Sequence, residues 1–370
     1  MIFTMNNQPL QNSAPSQIPA LTSIRGVLAF WVVIYHFWND LILLFPFCEY
    51  LTPIVINGHL AVPAFFILSG TVLSLNYFDK FDKFSFTKYK SFLQSRLARI
   101  YPLHLFTLFI VLLMVIVSIY KKYDIDFNGY TPLQFLENLF LIQTWDPNFV
   151  LNWNYPSWSI SSEWFAYLAF PVFIFLLKPV TKNFCLSIIV GIILLSLSTY
   201  WLQIRSSLPC PELLLVIPTF ASGIVIQQVA KKITNLSLSK NLAITAYLAP
   251  AILAVFYLPS HIARVYLFLF GISFLFLLFI NSSHLKTFWN TTFLVSLGES
   301  SYSLYMTHTL AQKILYKLLP VQGFEGSTFV FKFGIVLLYA ALIFAFSFAS
   351  FYLIEKPFRI KFHKTFKKLN

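Results

Sequence analysis

Ten stretches of this 370-residue chain are apolar enough, for long enough, to cross a lipid bilayer as helices, and nothing else limits its fold so strongly. They lie near 22–44, 58–78, 101–120, 158–177, 183–203, 211–230, 242–258, 262–281, 293–318 and 327–354. Backbone polar groups in hydrocarbon must satisfy one another, so runs of this kind fold as helices that pack together. Composition agrees, with 58% hydrophobic and only 11% charged residues, where soluble domains average about 25% charged. The expected fold is an all-α integral membrane protein, about ten transmembrane helices around a central cavity with no soluble domain. Residues 1–20 are polar and lack the layout of a signal peptide, so they read as a flexible cytoplasmic tail. Residues 21–360 form the transmembrane domain and 361–370 a basic cytoplasmic tail.

The net charge of +13 fits basic loops facing anionic lipid, and no nucleic-acid partner is expected. Alternate loops and the C-terminal tail hold eighteen Lys and Arg residues, and the opposite loops hold six. By the positive-inside rule both termini face the cytoplasm, as in a multi-pass protein of the cytoplasmic (inner) membrane. Cys48, Cys185 and Cys210 have neither metal-type spacing nor a disulfide pattern, and no metal is expected.

The first span, LTSIRGVLAFWVVIYHFWND, carries Arg25 and His36, and ionisable residues are rare in such segments without a function. Eleven positions apart, they fall within roughly 20° on one helix face and ~16 Å apart along the axis. Counting ~1.5 Å per residue from the cytoplasmic ends puts His36, Glu163 of the fourth span and His308 of the ninth at one level, ~22 Å deep. That coincidence suggests a shared interior cavity. His36 is the candidate general base, with Asp40 one turn on or Glu163 across helices to orient it. The plain alternative is a structural histidine bonded to a carbonyl. Arg96 and Arg99, three apart, share a face if their loop is helical, and Pro102 suits the first turn of the next span. A lone Arg25 would snorkel to headgroups; with Arg96 and Arg99 it makes a cluster suited to pyrophosphate. Phosphates held there need an arm of ~15 Å to reach His36, which is of the order of the pantetheine arm of coenzyme A.

Trp153, Tyr155 and Trp158 open the fourth span beside Ser159, Ser161 and Ser162, an aromatic mouth on which a sugar ring stacks or an interfacial belt. Tyr302, in LGESSYSLYMTH with His308, completes the candidate substrate-binding set. Ser69-Gly70 offers a small surface for close helix approach. TPLQFLENLFLIQ has the pattern of a helix lying along the outer interface. Glu355, in EKPFR, is placed to neutralise a basic residue at the cytoplasmic rim.

Six stretches in this order resemble the acyltransferase-3 family of integral membrane acyltransferases: SIRGVLAFWVVIYHF, with its Arg-ten residues-His spacing, then NGHLAVPAFFILSG, RLARIYP, WSISSEWFAYLAFP, LGESSYSLYMTH and EKPFR. The likeness runs from Leu21 to Arg359; Ala61-Val62 stands where the family often has Gly-Val, a small-for-small change. The resemblance implies ten helices and transfer of an acyl group, commonly acetyl, from cytoplasmic acyl-CoA to a hydroxyl, often on a surface glycan. It implies that His36 is catalytic and that Arg25, Arg96 and Arg99 serve the donor. Acyl-CoA (acetyl-CoA) is then a co-substrate, with no tightly bound cofactor. The partners are a carbohydrate acceptor and the lipid bilayer, and a homo-oligomer is compatible. Some members carry a further extracytoplasmic hydrolase-like domain; with eleven residues after Arg359, that route is expected only if a separate protein supplies it. The rival reading is a polytopic transporter, disfavoured because no inverted repeat or paired broken helices stand out.

Overall fold

A computed structural model describes residues 18–122, 129–232, 270–271, 273–274, 278 and 283–367. All regular elements among them are helical. Six helical stretches are long and apolar enough to cross a membrane, and a bent pair makes a seventh. The seventh expected span lies outside the described residues, as does most of the eighth, so the described chain does not by itself carry the count to ten.

The first span is α1 (Pro19–His36), entered through a proline, where a missing N–H costs nothing. It does not continue to residue 44 as one rod. Phe37 takes φ −97° and ψ 6°, which offsets α2 (Trp38–Leu44) from it. Short helical turns over 46–60 lead into α3 (Ala61–Tyr77). The next helix, α4 (Phe86–Tyr120), merges the basic loop and the third span in one run of 35 residues, about 52 Å long. Pro102 therefore lies inside a helix and not in a first turn.

The outer connection holds α5 (Pro132–Leu139), begun by a capping box in which Thr131 and Gln134 each bond the other's backbone N–H. Leu133 and Leu136 are exposed, as an interfacial helix requires. The expected fourth span is broken into α6 (Ser157–Leu168) and α7 (Phe170–Lys182), bent by 61°. Pro171 explains the break, since it has no N–H for the carbonyl four residues back and its ring crowds that turn.

Then follow α8 (Phe184–Gln203), α9 (Pro211–Lys232), α10 (Ser283–Trp289), α11 (Thr292–Glu299), α12 (Ser301–Leu318), α13 (Phe329–Ser350), a π-turn at Phe351–Glu355, and α14 (Lys356–Lys367). The expected ninth span is thus split at Ser300.

Two backbone-to-backbone contacts fix the frame. A Cβ on Gly70 would sit 2.1 Å from the Phe220 carbonyl oxygen, and one on Gly223 1.9 Å from that of Ile67, so α3 and α9 meet as closely as helices can. A Cβ on Gly298 would lie 2.0 Å from the Thr22 carbonyl oxygen, and one on Gly26 2.8 Å from the Gly298 nitrogen. This second contact seats α1 against α11, and with it both Arg25 and His36.

Candidate active site

A narrow cavity of about 90 Å³ lies between α1, α3, α4, α6 and α12. Arg25, Arg96 and Arg99 line it, together with Ser69, Glu163, Tyr167, Tyr302 and Tyr305 and an apolar wall that includes Val62 and Phe65. The long run of α4 makes the cluster possible: helical spacing points Arg96 and Arg99 the same way, and α1 supplies Arg25. None of the three forms an ion pair among the described residues. Arg96 bonds weakly to Ser95 Oγ (3.3 Å) and lies over the rings of Tyr77 and Phe92, 5.7 and 6.0 Å from their centroids. Three guanidiniums with so few protein acceptors form a site that favours an anion.

Glu163 belongs to this cavity and not to His36. Its Oε1 accepts from Ser69 Oγ and Tyr167 Oη, both at 2.6 Å. Its level was legible by counting along the helix; its direction was not, because depth says nothing about azimuth. Ser69, read as packing surface, is a hydrogen-bond donor here while its neighbour Gly70 does the packing. Tyr167 was passed over in the sequence; its i+4 spacing from Glu163 was the available signal. The Tyr302 hydroxyl is spent on the Ile100 carbonyl (2.6 Å), so this side chain is wall of the arginine-lined cavity and ties α12 to α4.

Tyr305, Ser159 and Phe65 also line the cavity. Outside this lining, next to Tyr305, lie His308 and its neighbour His36, with ring centroids 4.8 Å apart. His36 Nδ1 is 2.9 Å from the Val32 carbonyl and 3.3 Å from His308 Nε2. His308 Nδ1 is 2.6 Å from the Tyr305 carbonyl. Carbonyls only accept, so both rings carry their proton on Nδ1. His308 Nε2 is then a lone pair that shares the His36 Nδ1 proton with Val32. His36 Nε2 is a bare lone pair with no protein partner among the described residues.

Neither carboxylate orients His36. Because the helix is offset at Phe37, Asp40 turns away and accepts from the Tyr316 hydroxyl. It reaches the histidine only indirectly: Gln312 Nε2 bonds Tyr316 Oη (2.7 Å) and the His36 carbonyl (2.9 Å), capping the last turn of α1. The orienting group is His308 with the Val32 carbonyl. The carbonyl bond that a structural histidine would make is present, and it leaves Nε2 available.

The aromatic mouth divides. Tyr155 stands edge-on to His36, 5.8 Å between centroids, and is 36% exposed. Trp158, one turn on, lies under the Arg205 guanidinium (5.9 Å), which pairs with buried Glu212. Trp153 is not at the mouth. It is buried, its N–H bonds the Thr131 carbonyl (3.1 Å), and Tyr130 and Phe135 pack its ring. A polar network behind it holds the loop in place: buried His104 bonds the Asn138 carbonyl (2.7 Å) and Asn154 Nδ2 (3.2 Å). At the other rim Glu355 bonds Ser303 (2.7 Å) and pairs with Arg359 (3.3 Å), the neutralising contact expected of it.

Tyr305 escaped the reading of the sequence. It lines the cavity and borders His308, with ring centroids 5.9 Å apart. Ser159 Oγ lies 2.9 Å from Tyr305 Oη and 3.2 Å from the Pro156 carbonyl. When the serine donates to it, the tyrosine's own proton is left for the cavity. Its place three residues before His308, one turn away on α12, was the available signal.

An all-helical membrane frame that joins an arginine-lined cavity to a paired histidine is the class defined here. The acyltransferase domain of the acyltransferase-3 family matches residues 18–355, and the chain belongs to that family. One relative is the acyltransferase MdmB of Streptomyces mycarofaciens, 31% identical over 173 residues, which cover 44% of this chain and 41% of that protein. No solved structure gives a significant match.

Proposed function

We propose that this membrane acyltransferase moves an acyl group, acetyl by preference, from cytoplasmic acyl-CoA to a hydroxyl of a carbohydrate such as a surface polysaccharide or its lipid-linked precursor. The observation that carries the reading is the course of α1. It carries Arg25 in the arginine-lined cavity and His36 outside that lining, against His308, which Tyr305 of the cavity wall borders, ~16 Å along one helix.

In this reading Arg25, Arg96 and Arg99 hold the phosphates of the donor and the pantetheine arm fills the narrow cavity, bringing the thioester to Tyr305. The acceptor enters past Tyr155 and Trp158. Its hydroxyl oxygen attacks the thioester carbonyl carbon while its proton passes to His36 Nε2. The imidazolium so formed keeps its Nδ1–H on His308 Nε2 and the Val32 carbonyl, both suited to a cation. The Tyr305 hydroxyl donates to the oxygen that becomes negative in the tetrahedral intermediate. Collapse breaks the carbon–sulfur bond, and the thiolate takes the proton back from His36 Nε2. Each step conserves charge without a metal or redox partner.

In this reading the basic loops face the cytoplasm of a multi-pass inner-membrane protein, and the donor enters from that side; the bias of Lys and Arg to alternate loops supports it. The acceptor is tested by mass spectrometry of surface glycans from cells with and without the gene. One acetyl unit on a defined sugar, lost with the gene, is the expected result; an unchanged glycan profile with a changed small-molecule uptake profile would favour the transporter.

A further inference from the structure

A second cavity, of about 340 Å³, opens between the turn before α4 and the lysine-bearing end of α7. Phe84, Pro171, Ile174 and Phe175 wall it, and Asp82, Lys178 and Lys182 give it a polar side. Phe84 and Phe175 are 65% and 77% exposed, and Phe175 continues into an exposed apolar strip with Val172 and Leu176. The cavity shares no lining residue with the donor cavity. Phe81, Phe92 and Phe170 close the way between them, with ring centroids 5.1–5.7 Å apart. An acyl-CoA arm seated here would have no path to Tyr305.

Charge at this site is lopsided. Lys178 pairs with Asp82 at 2.6 Å and the neighbouring Lys231 with Asp79 at 2.7 Å. The Lys178 ammonium holds the Asp82 carboxyl below its ordinary range, so that pair is neutral overall near pH 7. Lys182 and Lys232 have no acidic partner among the described residues; Lys232 Nζ instead donates to the Lys182 carbonyl (2.8 Å).

We propose that this cavity seats an anionic phospholipid, its phosphate on Lys182 and Lys178 and an acyl chain along Val172, Phe175 and Leu176. A ligand that is anionic at one end and apolar at the other uses both halves of the site at once, as basic pockets at the ends of membrane helices do. Free phosphate would leave the apolar strip unused, and a zwitterionic lipid would leave the surplus lysine charge unused.

The test is the thermal shift of the purified full chain in detergent with added dioleoyl phosphatidylglycerol, dioleoyl phosphatidylcholine, inorganic phosphate or coenzyme A. Phosphatidylglycerol should raise Tm by about 3 °C more than phosphatidylcholine. That difference should disappear in Lys178→Gln/Lys182→Gln, and shrink in Lys182→Gln alone, whose exposed side chain is not needed for folding. Equal shifts with the two lipids would overturn the proposal. So would an undiminished phosphatidylglycerol response in the variants, or an equal shift with phosphate. A coenzyme A shift lost in the same variants would reassign the cavity to the donor. Because the site is separate from the arginine cavity, the lipid and phosphate outcomes leave the proposed acyl transfer untouched, while the coenzyme A outcome would overturn both the lipid site and the placing of the donor among the arginines.

Discussion

At the scale of single residues, the direction of two protons decides the chemistry. The bonds of His36 and His308 to backbone carbonyls put a lone pair on His36 Nε2 and a proton-accepting neighbour on its other side. His308→Ala should therefore lower kcat about tenfold or more with little change in acyl-CoA binding. His308→Gln, whose amide oxygen can still accept from Nδ1–H, should recover part of the loss. Asp40→Asn should leave kcat near wild type, because Asp40 serves Tyr316; single-turnover rates of the purified variants separate these cases. Tyr305→Phe keeps the ring against His308 and deletes the hydroxyl proposed to donate to the tetrahedral intermediate. It should cost about 10²-fold in kcat at unchanged donor affinity. The sequence identified His36 and His308 by their depth but misassigned their neighbours, since counting along a helix yields a level and no direction. Trp153 was misread for a related reason: a tryptophan at a span's mouth and one in a packed loop core have the same sequence signature, and only its bond to Thr131 tells them apart.

At the scale of elements, the helices were legible and their interruptions were not. Apolar length announced α1, α3, α8, α9 and α13, because hydrocarbon permits little else. At the offset by Phe37 the His36 carbonyl is taken by Gln312 of α12, a distant partner that no local pattern encodes; at the split the Ser300 hydroxyl bonds the Ser296 and Leu297 carbonyls of its own preceding turn. The 61° bend after Leu168 had a visible cause in Pro171, and the continuous α4 shows that an interior proline need not end a helix. The contact between α1 and α11 is the most exacting joint, since it positions both ends of the site. Gly298→Ala puts a Cβ 2.0 Å from the Thr22 carbonyl oxygen, so α1 must shift. Overpacking of this kind costs about 1–3 kcal/mol. The expected result is a lower Tm in detergent, together with a fall in both donor binding and transfer, where Tyr305→Phe affects transfer alone.

At the scale of the whole molecule, membership of the acyltransferase-3 family over residues 18–355 and the route of α1 support the proposed design, in which an arginine-lined cavity and a histidine pair are joined by one helix inside a membrane frame. The resemblance was readable because six short stretches fall in order along the chain. The arginine cluster was readable because three cations in two nearby segments have few other reasons to converge. Arg96→Ala and Arg99→Ala should raise the KM for acyl-CoA more than they lower kcat, and donor binding should weaken as salt rises. The division of labour along α1 is best tested with labelled acetyl-CoA and purified protein, measuring donor binding and acyl transfer on the same samples. His36→Ala should bind the donor as wild type does and transfer nothing, while Arg25→Ala should lose donor binding. Transfer by His36→Ala at the wild-type rate, or donor binding untouched in Arg25→Ala, would contradict the account.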